Sequence, residues 1–401
     1  FLFLAVMFAD VLLLDRFNTY GLPTSTTVSI VFELLGAAVA LAAIKSWMGD
    51  SRGVAEFING SQAVIIISGI FLSVLVAFIV GSMVQFLTRA LFTFRAIHNN
   101  GSWVTSAWAA FAMATISFFL VIKGLKGASF LPISAGQLAS EHGLTLFAGL
   151  LVFWLLIARL HVLLKWNVLR TVVLFGTFAL AMAFASNDLV NFIGVPLAGL
   201  ASYRLWKDSG ADPDTMGMAM LAEPVRGDTL WLFVAGGHMV MTLWISIKAR
   251  SDTETEVSLG RQDEGAERFG PGPLSRSIVR GWMKAARLTA VVFPPGIRRG
   301  IESRFALPEK PKNSDGPAFD LLRASVNLAV ASALIAFATS LKLPLSTTYV
   351  SFMVAMGASL ADRAWGRDSA VYRVAGVISV IGGWFLTAAA AFTVAGIFAA
   401  V

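Results

Sequence analysis

The sequence predicts an all-α, polytopic transmembrane protein with inverted repeats and with broken or re-entrant helices. The first reason is composition, because 57% of the 401 residues are hydrophobic and only 14% are charged. A soluble domain is about a quarter charged. The second reason is that long stretches of the chain carry no charge at all. The third is a short hydroxyl-rich motif that occurs twice, far apart in the chain.

The uncharged stretches mostly reach the roughly 18 residues that a membrane crossing requires. They are Ser61–Thr88, Gly101–Ile122, Thr171–Asn187, Thr229–Ile247, Ala324–Leu341, Leu343–Ala361 and Val374–Val401. Lipid offers the backbone no hydrogen-bond partners, so these stretches are predicted to be helices. Strands of an outer-membrane barrel would alternate polar and apolar residues in short segments, and these stretches do not.

The approximate bounds of the expected helices follow from these stretches and their flanks. The helices are Phe1–Leu14, Thr24–Ile44, Ser61–Phe94, Val104–Ile122, Gly143–Leu164, Thr171–Tyr203, Thr229–Ile247, Phe319–Ser340, Pro344–Ala361 and Tyr372–Val401. We expect Thr171–Tyr203 to be interrupted, with an unwound backbone near Asn187 and Asp188. The chain begins inside an apolar run at Phe1 and without a Met, so we expect an N-terminally truncated fragment.

The chain is expected to divide into five parts. Residues 1–97 are the remainder of a first repeat, 98–168 are extra central helices, 169–248 begin a second repeat, 249–317 form a basic loop, and 318–401 end the second repeat. The Lys and Arg content of the loop places it in the cytoplasm. Within it, Ser277–Phe293 mixes apolar and basic residues, which fits either an amphipathic helix on an anionic leaflet or an ordinary loop helix.

Composition also excludes several kinds of site. The chain has no Cys, which rules out disulfides, thiolate nucleophiles and Cys-ligated metal centres. Its four His are too scattered for a metal motif, and no nucleophile–base cluster favours an intramembrane enzyme. We therefore expect no enzyme activity, no catalytic residues, no cofactor and no metal beyond a transported Na⁺. The net charge of +7 is attributed to cytoplasmic loops, and nucleic-acid binding is not expected.

The most informative feature is an internal repeat. The matched segments are Leu22–Thr27 with Leu343–Thr348, Gly36 with Gly357, Ile67–Ser73 with Ile381–Thr387, and Phe78 with Phe392. In the first match, Leu-Pro-x-Ser-Thr-Thr recurs 321 residues later. Repeated halves with helices broken at matching positions are typical of secondary transporters. A channel is disfavoured because no ring of pore-lining charges accompanies these breaks.

The two hydroxyl motifs suit an oxyanion. Pro is well placed at a helix start, and Ser and Thr cap helix N-termini. Such an N-terminus presents free N–H groups and a partial positive charge. The candidate substrate-binding residues are therefore Ser25, Thr26 and Thr27 in one copy and Ser346, Thr347 and Thr348 in the other. The alternative is that these hydroxyls bond back to their own helices or assist helix packing; two matched copies favour binding.

Two acidic positions are candidates for binding a cation. Asp188 lies with Asn187 and Asn191 in an apolar run, and a carboxylate at membrane depth is costly enough to indicate function. All three are candidate substrate-binding residues, and Asn187 and Asp188 also supply hard oxygens for Na⁺ or a titrating proton. Glu33 lies two turns past Thr26. It is either a further cation-coupling residue or one member of an ion pair whose partner the sequence does not reveal.

At these residues the sequence resembles the PiT family of inorganic phosphate transporters, in its long bacterial form. That family carries paired Asn-Asp-x-x-Asn and Pro-x-Ser-Thr-Thr/His motifs on inverted repeats. Asn187–Asn191 resembles the second Asn-Asp motif, and Pro23–Thr27 and Pro344–Thr348 resemble the two Ser-Thr-Thr motifs. The first Asn-Asp motif is absent and is expected upstream of Phe1. Thr replaces the His of many members in both copies, so no proton role is assigned there.

The resemblance implies symport of phosphate with Na⁺ or H⁺ by alternating access, in a bacterial inner membrane. Its implied partners are inorganic phosphate, the coupling cation, membrane lipids and a second copy of the chain in a homodimer. Phosphate would lie between the two Ser-Thr-Thr motifs and the Asn-Asp motif. Sulfate, another tetrahedral oxyanion, is the alternative cargo. Asp188 favours phosphate, because phosphate can donate a proton to a carboxylate and sulfate cannot.

Overall fold

A computed structural model describes residues 1–21, 24–49, 53–92, 102–124, 135–212, 228–246, 257, 259, 270, 272–292, 295–305, 319–362 and 369–401. Leu22, Pro23 and much of the basic loop lie outside this part of the chain. The helices are α1 (Leu2–Thr19), α2 (Thr26–Trp47), α3 (Gly60–Leu91), α4 (Trp103–Gly124), α5 (Ala135–Leu163), α6 (Val168–Ser209), α7 (Thr229–Ile245), α8 (Pro273–Val292), α9 (Pro295–Arg304), α10 (Leu321–Ser340), α11 (Thr347–Ala361) and α12 (Ser369–Ala400).

The helices confirm the all-α transmembrane prediction. Among the described residues, seven helices are long and apolar enough to cross a membrane, and α7 and α11 are shorter apolar helices. The protein is therefore an integral, multi-pass membrane protein. The division of the chain into five parts stays a prediction.

The expected unwinding at Asn187 and Asp188 is wrong. Helix α6 is continuous from Val168 to Ser209, with Pro196 inside it. Proline removes one backbone donor, and membrane helices tolerate this because neighbouring groups satisfy the freed carbonyl. Asn187 and Asp188 therefore project from a regular helix, and the site takes side-chain oxygens from this segment.

The two copies of the hydroxyl motif fold in the same way. Each lies in the connection between two helices, and a left-handed residue precedes it there, Gly21 with φ 60° in one copy and Lys342 with φ 56° in the other. These two positions are 321 residues apart, the same spacing as the motifs. Ser25 then caps α2 by accepting from the Val28 N–H at 3.2 Å, and Ser346 caps α11 by accepting from the Tyr349 N–H at 3.2 Å. The repeat seen in the sequence is thus a repeat of structure.

The two repeats pack crosswise. Helix α2 of the first repeat packs on α12 of the second, and α11 of the second packs on α3 of the first. A Cβ added to Gly36 would collide with the backbone of Phe392, and one added to Gly357 would collide with the backbone of Phe78. Glycine permits such close approach of two membrane helices. The sequence pairs Gly36 with Gly357 and Phe78 with Phe392, so the same contact is made twice.

A cluster of buried Arg and Asp side chains connects the ends of three helices. Arg89 on α3 donates to both carboxylate oxygens of Asp362, at 2.5 and 2.9 Å, and to Asp320 at 2.8 Å. Asp320 caps α10, and Asp362 follows the last residue of α11. Arg323 on α10 lies 3.5 Å from Asp362. The cluster fixes the end of α11 that is farthest from its Ser-Thr-Thr motif.

Helix α8 begins before the segment Ser277–Phe293 and covers it as far as Val292, and Phe293 lies outside the described residues. It packs on the start of α12, where Val279 joins a buried apolar cluster with Ala370 and Val374. Arg276 and Arg280 lie one turn apart and are exposed. Whether α8 contacts lipid stays a prediction.

Candidate functional site

Two distant helix N-termini meet at the side chain of Asp188. Thr347, the first residue of α11, donates from its hydroxyl to both carboxylate oxygens of Asp188, at 3.0 and 2.9 Å. Thr26, the first residue of α2, donates to Oδ1 of the same carboxylate at 3.3 Å. Helix N-termini favour negative charge. The motifs, which lie 321 residues apart, therefore form one anion-attracting locus with a carboxylate already in contact with it.

The two Asn residues of the Asn-Asp motif complete the cluster. Asn191 donates from Nδ2 to the hydroxyls of Thr26 at 3.0 Å and Thr27 at 2.9 Å, and to Oδ1 of Asp188 at 3.3 Å. Asn187 donates to Thr27 at 3.5 Å and to Asp188 at 3.3 Å. Residues four apart lie on one face of a helix, so the regular geometry of α6 turns both amides toward the start of α2.

The two predicted serines are buried at the helix starts. Ser25 is 1% exposed and Ser346 is 0% exposed, and the oxygen of each is engaged as the helix cap. A capping oxygen satisfies one of the N–H groups that a helix N-terminus leaves without an intrahelical partner. Each hydroxyl keeps a hydrogen that it can donate. The serines therefore hold the two helix starts in shape, and the threonines beside them present the polar surface.

A cavity of about 940 Å³ lies between α6 and α7 and reaches this cluster. Thr26, Asp188 and Thr348 line it from the cluster side, and His238 lines it from α7. Thr348, which makes no hydrogen bond to Asp188 in the described part of the chain, thus joins the site through the cavity wall. No Lys or Arg is among the described residues that line the cavity. Its polar groups are hydroxyls, a carboxylate and one imidazole in an otherwise apolar wall.

Glu33 lies apart from this cluster. Its side chain is 0% exposed and accepts a hydrogen bond from the Ser29 hydroxyl at 2.7 Å. Within the described residues it shares no hydrogen bond with Asp188. The structure therefore brings together Thr26, Thr27, Thr347 and the Asn-Asp motif, and it places Glu33 in a separate environment two turns along α2.

Sequence reasoning left His238 out of the site. A lone His in an apolar helix is more often a packed side chain, and nothing in the sequence indicates that α7 faces α6 at this level. The preceding pair Gly236-Gly237 is no signal of it either, because a Cβ added to either glycine would meet nothing within 4 Å.

Comparisons with known proteins agree with the resemblance drawn from the motifs. No family profile matches the chain. The chain is 26% identical over 244 residues to a proposed phosphate permease of Thermococcus kodakarensis, which covers 58% of this chain and 52% of that protein. It thus spans about half of the length of that relative. A solved sodium-dependent phosphate transporter matches with a TM-score of 0.59 and 14% identity, over 99% of this chain and 78% of that one. The transporter fold is confirmed.

Proposed function

We propose that this chain carries inorganic phosphate across the membrane together with a coupling cation, as a transporter of the PiT family. The phosphate would be held by the start of α2, with Ser25, Thr26 and Thr27, and by the start of α11, with Ser346, Thr347 and Thr348. The Asn-Asp motif on α6 would hold the cation beside it.

The observation that carries the proposal is the convergence of both helix starts on Asp188. Thr347 and Thr26 donate to this carboxylate at 2.9 and 3.3 Å. A carboxylate is itself an oxyanion, so hydroxyls and helix N-termini that receive it have the chemistry to receive a phosphate oxygen. Neutral donors also release their ligand more readily than a salt bridge does, which suits a carrier.

Cation coupling follows from charge. Phosphate is an anion, and Asp188 is a carboxylate in the same cluster, so the two repel unless a positive charge lies between them. No Lys or Arg among the described cavity-lining residues can supply that charge. This favours a cation that enters with the phosphate. The carboxylate of Asp188 and the side-chain oxygen of Asn187 are hard ligands that suit Na⁺, and the carboxylate also suits a proton.

Alternating access would use the crosswise packing of the repeats. Each half of the substrate site belongs to a helix, α2 or α11, that packs on the other repeat. Rocking of one repeat against the other would then change which side of the membrane the site faces. The proposed phosphate permease and the sodium-dependent phosphate transporter support this choice of cargo over sulfate.

The test is uptake of radiolabelled phosphate into proteoliposomes, with and without an inward Na⁺ gradient or pH gradient. Asp188→Asn should abolish uptake. Asp228→Asn makes the same change at an exposed residue paired with Arg204 and should leave uptake unchanged. Unlabelled sulfate at tenfold excess should compete poorly.

Cation-dependent phosphate uptake that Asp188→Asn removes and Asp228→Asn retains supports both cargo and site. Uptake of labelled sulfate in place of phosphate would keep the mechanism and change the cargo. If folded protein takes up neither anion under any gradient, the proposed function is wrong.

A further inference from the structure

We infer that Asp10, Glu33 and Ser29 form a second cation site, separate from the Asp188 cluster, that binds one monovalent cation, either Na⁺ or a proton. Asp10 lies on α1, and Glu33 and Ser29 lie one turn apart on α2. The transport role of this site rests on the proposed function. The binding of a cation at this site does not depend on the proposed function.

Burial is the first step of the argument. Glu33 is 0% exposed and Asp10 is 8% exposed. The helices around them are joined by an apolar cluster that includes Ala9, Ala37 and Val195. An ionised carboxylate in such surroundings costs several kcal/mol unless it is paired, and two of them cost more.

The hydrogen bonds of the pair are incomplete. Oε1 of Glu33 accepts from the Ser29 hydroxyl at 2.7 Å. The second oxygen of Glu33, Oε2, and Oδ1 of Asp10 have no hydrogen-bond partner among the described residues. Buried polar atoms are almost always satisfied, so each exception requires an explanation, of which a bound ion is one. Two such atoms belong here to two acidic groups on adjacent helices.

No protein cation neutralises the pair within the described residues. Helices α1, α6 and α12 pack against α2, and so does the short turn Val54–Glu56, whose Glu56 is exposed. Besides Asp10, α1 carries Asp15 and Arg16, α12 carries Arg373, and α6 carries Asp188 and charged residues near its two ends. Among the described residues, none of these basic groups forms an ion pair with Asp10 or Glu33, and two carboxylates on adjacent helices repel each other when both are ionised. A cation from solution is therefore the group that can compensate the charge.

The chemistry admits two such cations. Two carboxylates and a hydroxyl are hard oxygen ligands of the kind that Na⁺ accepts. Alternatively, one proton shared by the two acids removes their repulsion. Either cation would hold α1 against α2. Because α2 begins at Thr26, about 10 Å along the helix from Glu33, occupancy of this site would stabilise the helix start that faces Asp188.

The test is thermal unfolding of the detergent-purified chain in phosphate-free buffer, followed by Trp fluorescence. Na⁺ replaces N-methylglucamine at constant ionic strength, and the series is repeated from pH 5 to pH 9. The variants are Glu33→Gln, Asp10→Asn and Asp188→Asn. Glu56→Gln is the matched control, because Glu56 is exposed on a short turn before α3.

In the Na⁺ arm, Na⁺ raises the melting temperature of the wild type, Asp188→Asn and Glu56→Gln by about 2–4 °C or more, because a ligand that binds only the folded state stabilises it. Glu33→Gln and Asp10→Asn lose this response when they are made in the Asp188→Asn background, which lacks the proposed Na⁺ ligand of the first site. In the proton arm, Na⁺ has no such effect and acidification raises the melting temperature. Glu33→Gln, which mimics the protonated acid, then melts higher at neutral pH and responds less to pH.

The inference is overturned if Glu33→Gln and Asp10→Asn, made in the Asp188→Asn background, respond to Na⁺ and to pH as Asp188→Asn alone does. Should neither variant fold, labelling of wild-type Glu33 by dicyclohexylcarbodiimide, read by mass spectrometry, decides the question. A lower extent of Glu33 labelling in Na⁺ or at high pH supports the site. An extent of labelling that changes neither with Na⁺ nor with pH overturns it. Since no phosphate is present and Asp188→Asn should retain the response, the result is independent of whether the chain transports phosphate.

Discussion

Thr347 donates its hydroxyl hydrogen to the carboxylate of Asp188, which lies 159 residues earlier in the chain. This hydrogen bond joins the start of α11 to the middle of α6, and Thr26 makes the equivalent contact from α2. A hydroxyl is needed at both positions, whereas the methyl group of Thr has no role in the hydrogen bonding.

Thr347→Val is therefore expected to weaken phosphate uptake. The change keeps the shape of the side chain and removes a donor to a charged group, which is worth about 1.5–3 kcal/mol. Uptake at low phosphate should fall by about tenfold or more. Thr347→Ser retains the donor and should stay within about threefold of the wild type. Equal losses in the Val and Ser variants would show that packing, and not the hydroxyl, matters at this position.

Gly357→Ala is expected to destabilise the contact between α11 and α3. The added Cβ would meet the backbone of Phe78 and would lie 2.8 Å from the Ser82 hydroxyl. Overpacking of this kind costs about 1–3 kcal/mol, which thermal unfolding in detergent would detect. Gly382→Ala is the matched control, because a Cβ there meets nothing within 4 Å. Its expected effect is neutral or stabilising, since Ala is the better helix former. A Gly357→Ala variant as stable as Gly382→Ala would contradict the close packing.

Lys342→Gly is expected to stabilise the fold. Lys342 has a left-handed backbone with φ 56°, a conformation that costs non-Gly residues about 1 kcal/mol or more. The first repeat already has Gly21 at the equivalent position. Thermal unfolding should show a gain of about 0.5–1 kcal/mol. The contrasting change is Lys45→Gly in the last turn of α2, which should destabilise by a similar amount. A loss of stability in both variants would argue against a strained turn at Lys342.

Asp362→Asn is expected to be strongly destabilising. Asp362 and Arg89 are both buried side chains with 0% exposure, and loss of the Asp362 charge leaves Arg89 and the nearby Arg323 with only the partly exposed Asp320 to compensate them. Such changes cost about 3–5 kcal/mol. The matched control is Asp228→Asn in the exposed pair with Arg204, which should cost about 0–1 kcal/mol. Chemical or thermal unfolding of the two variants compares them directly, and similar small losses would mean that solvent or lipid headgroups reach the buried cluster.

The repeated features of the fold could be predicted from the sequence because they are local. A Pro followed by hydroxyl residues favours a capped helix start wherever it occurs, and Ser25 and Ser346 fulfil this in the same geometry. The charge-free stretches likewise predicted the membrane helices. The residues of the Asn-Asp motif were predicted to bind substrate and cation, and those roles stay predictions.

The features that the sequence did not predict depend on contacts between distant segments of the chain. A repeat shows that Gly36 and Gly357 are equivalent, but it does not show that each packs on the other repeat. The pairing of Arg89 with Asp362 spans 273 residues and leaves no periodic signal. Asp188 was expected on unwound backbone because Asn, Gly and Pro cluster around it. In the fold, packing against α2 and α10 keeps α6 helical.

The crosswise packing has a consequence for how the chain assembles during synthesis. Helix α2 leaves the ribosome well before α12, on which it packs, because α3 to α11 lie between them in the chain. Contacts of such long sequence separation form late and slowly. Until α12 is inserted, Gly36 and the acidic Glu33 therefore face lipid or another protein. Removal of α12 would thus expose the first repeat as well as shorten the second. The two repeats should therefore close on each other only after α12 has been inserted.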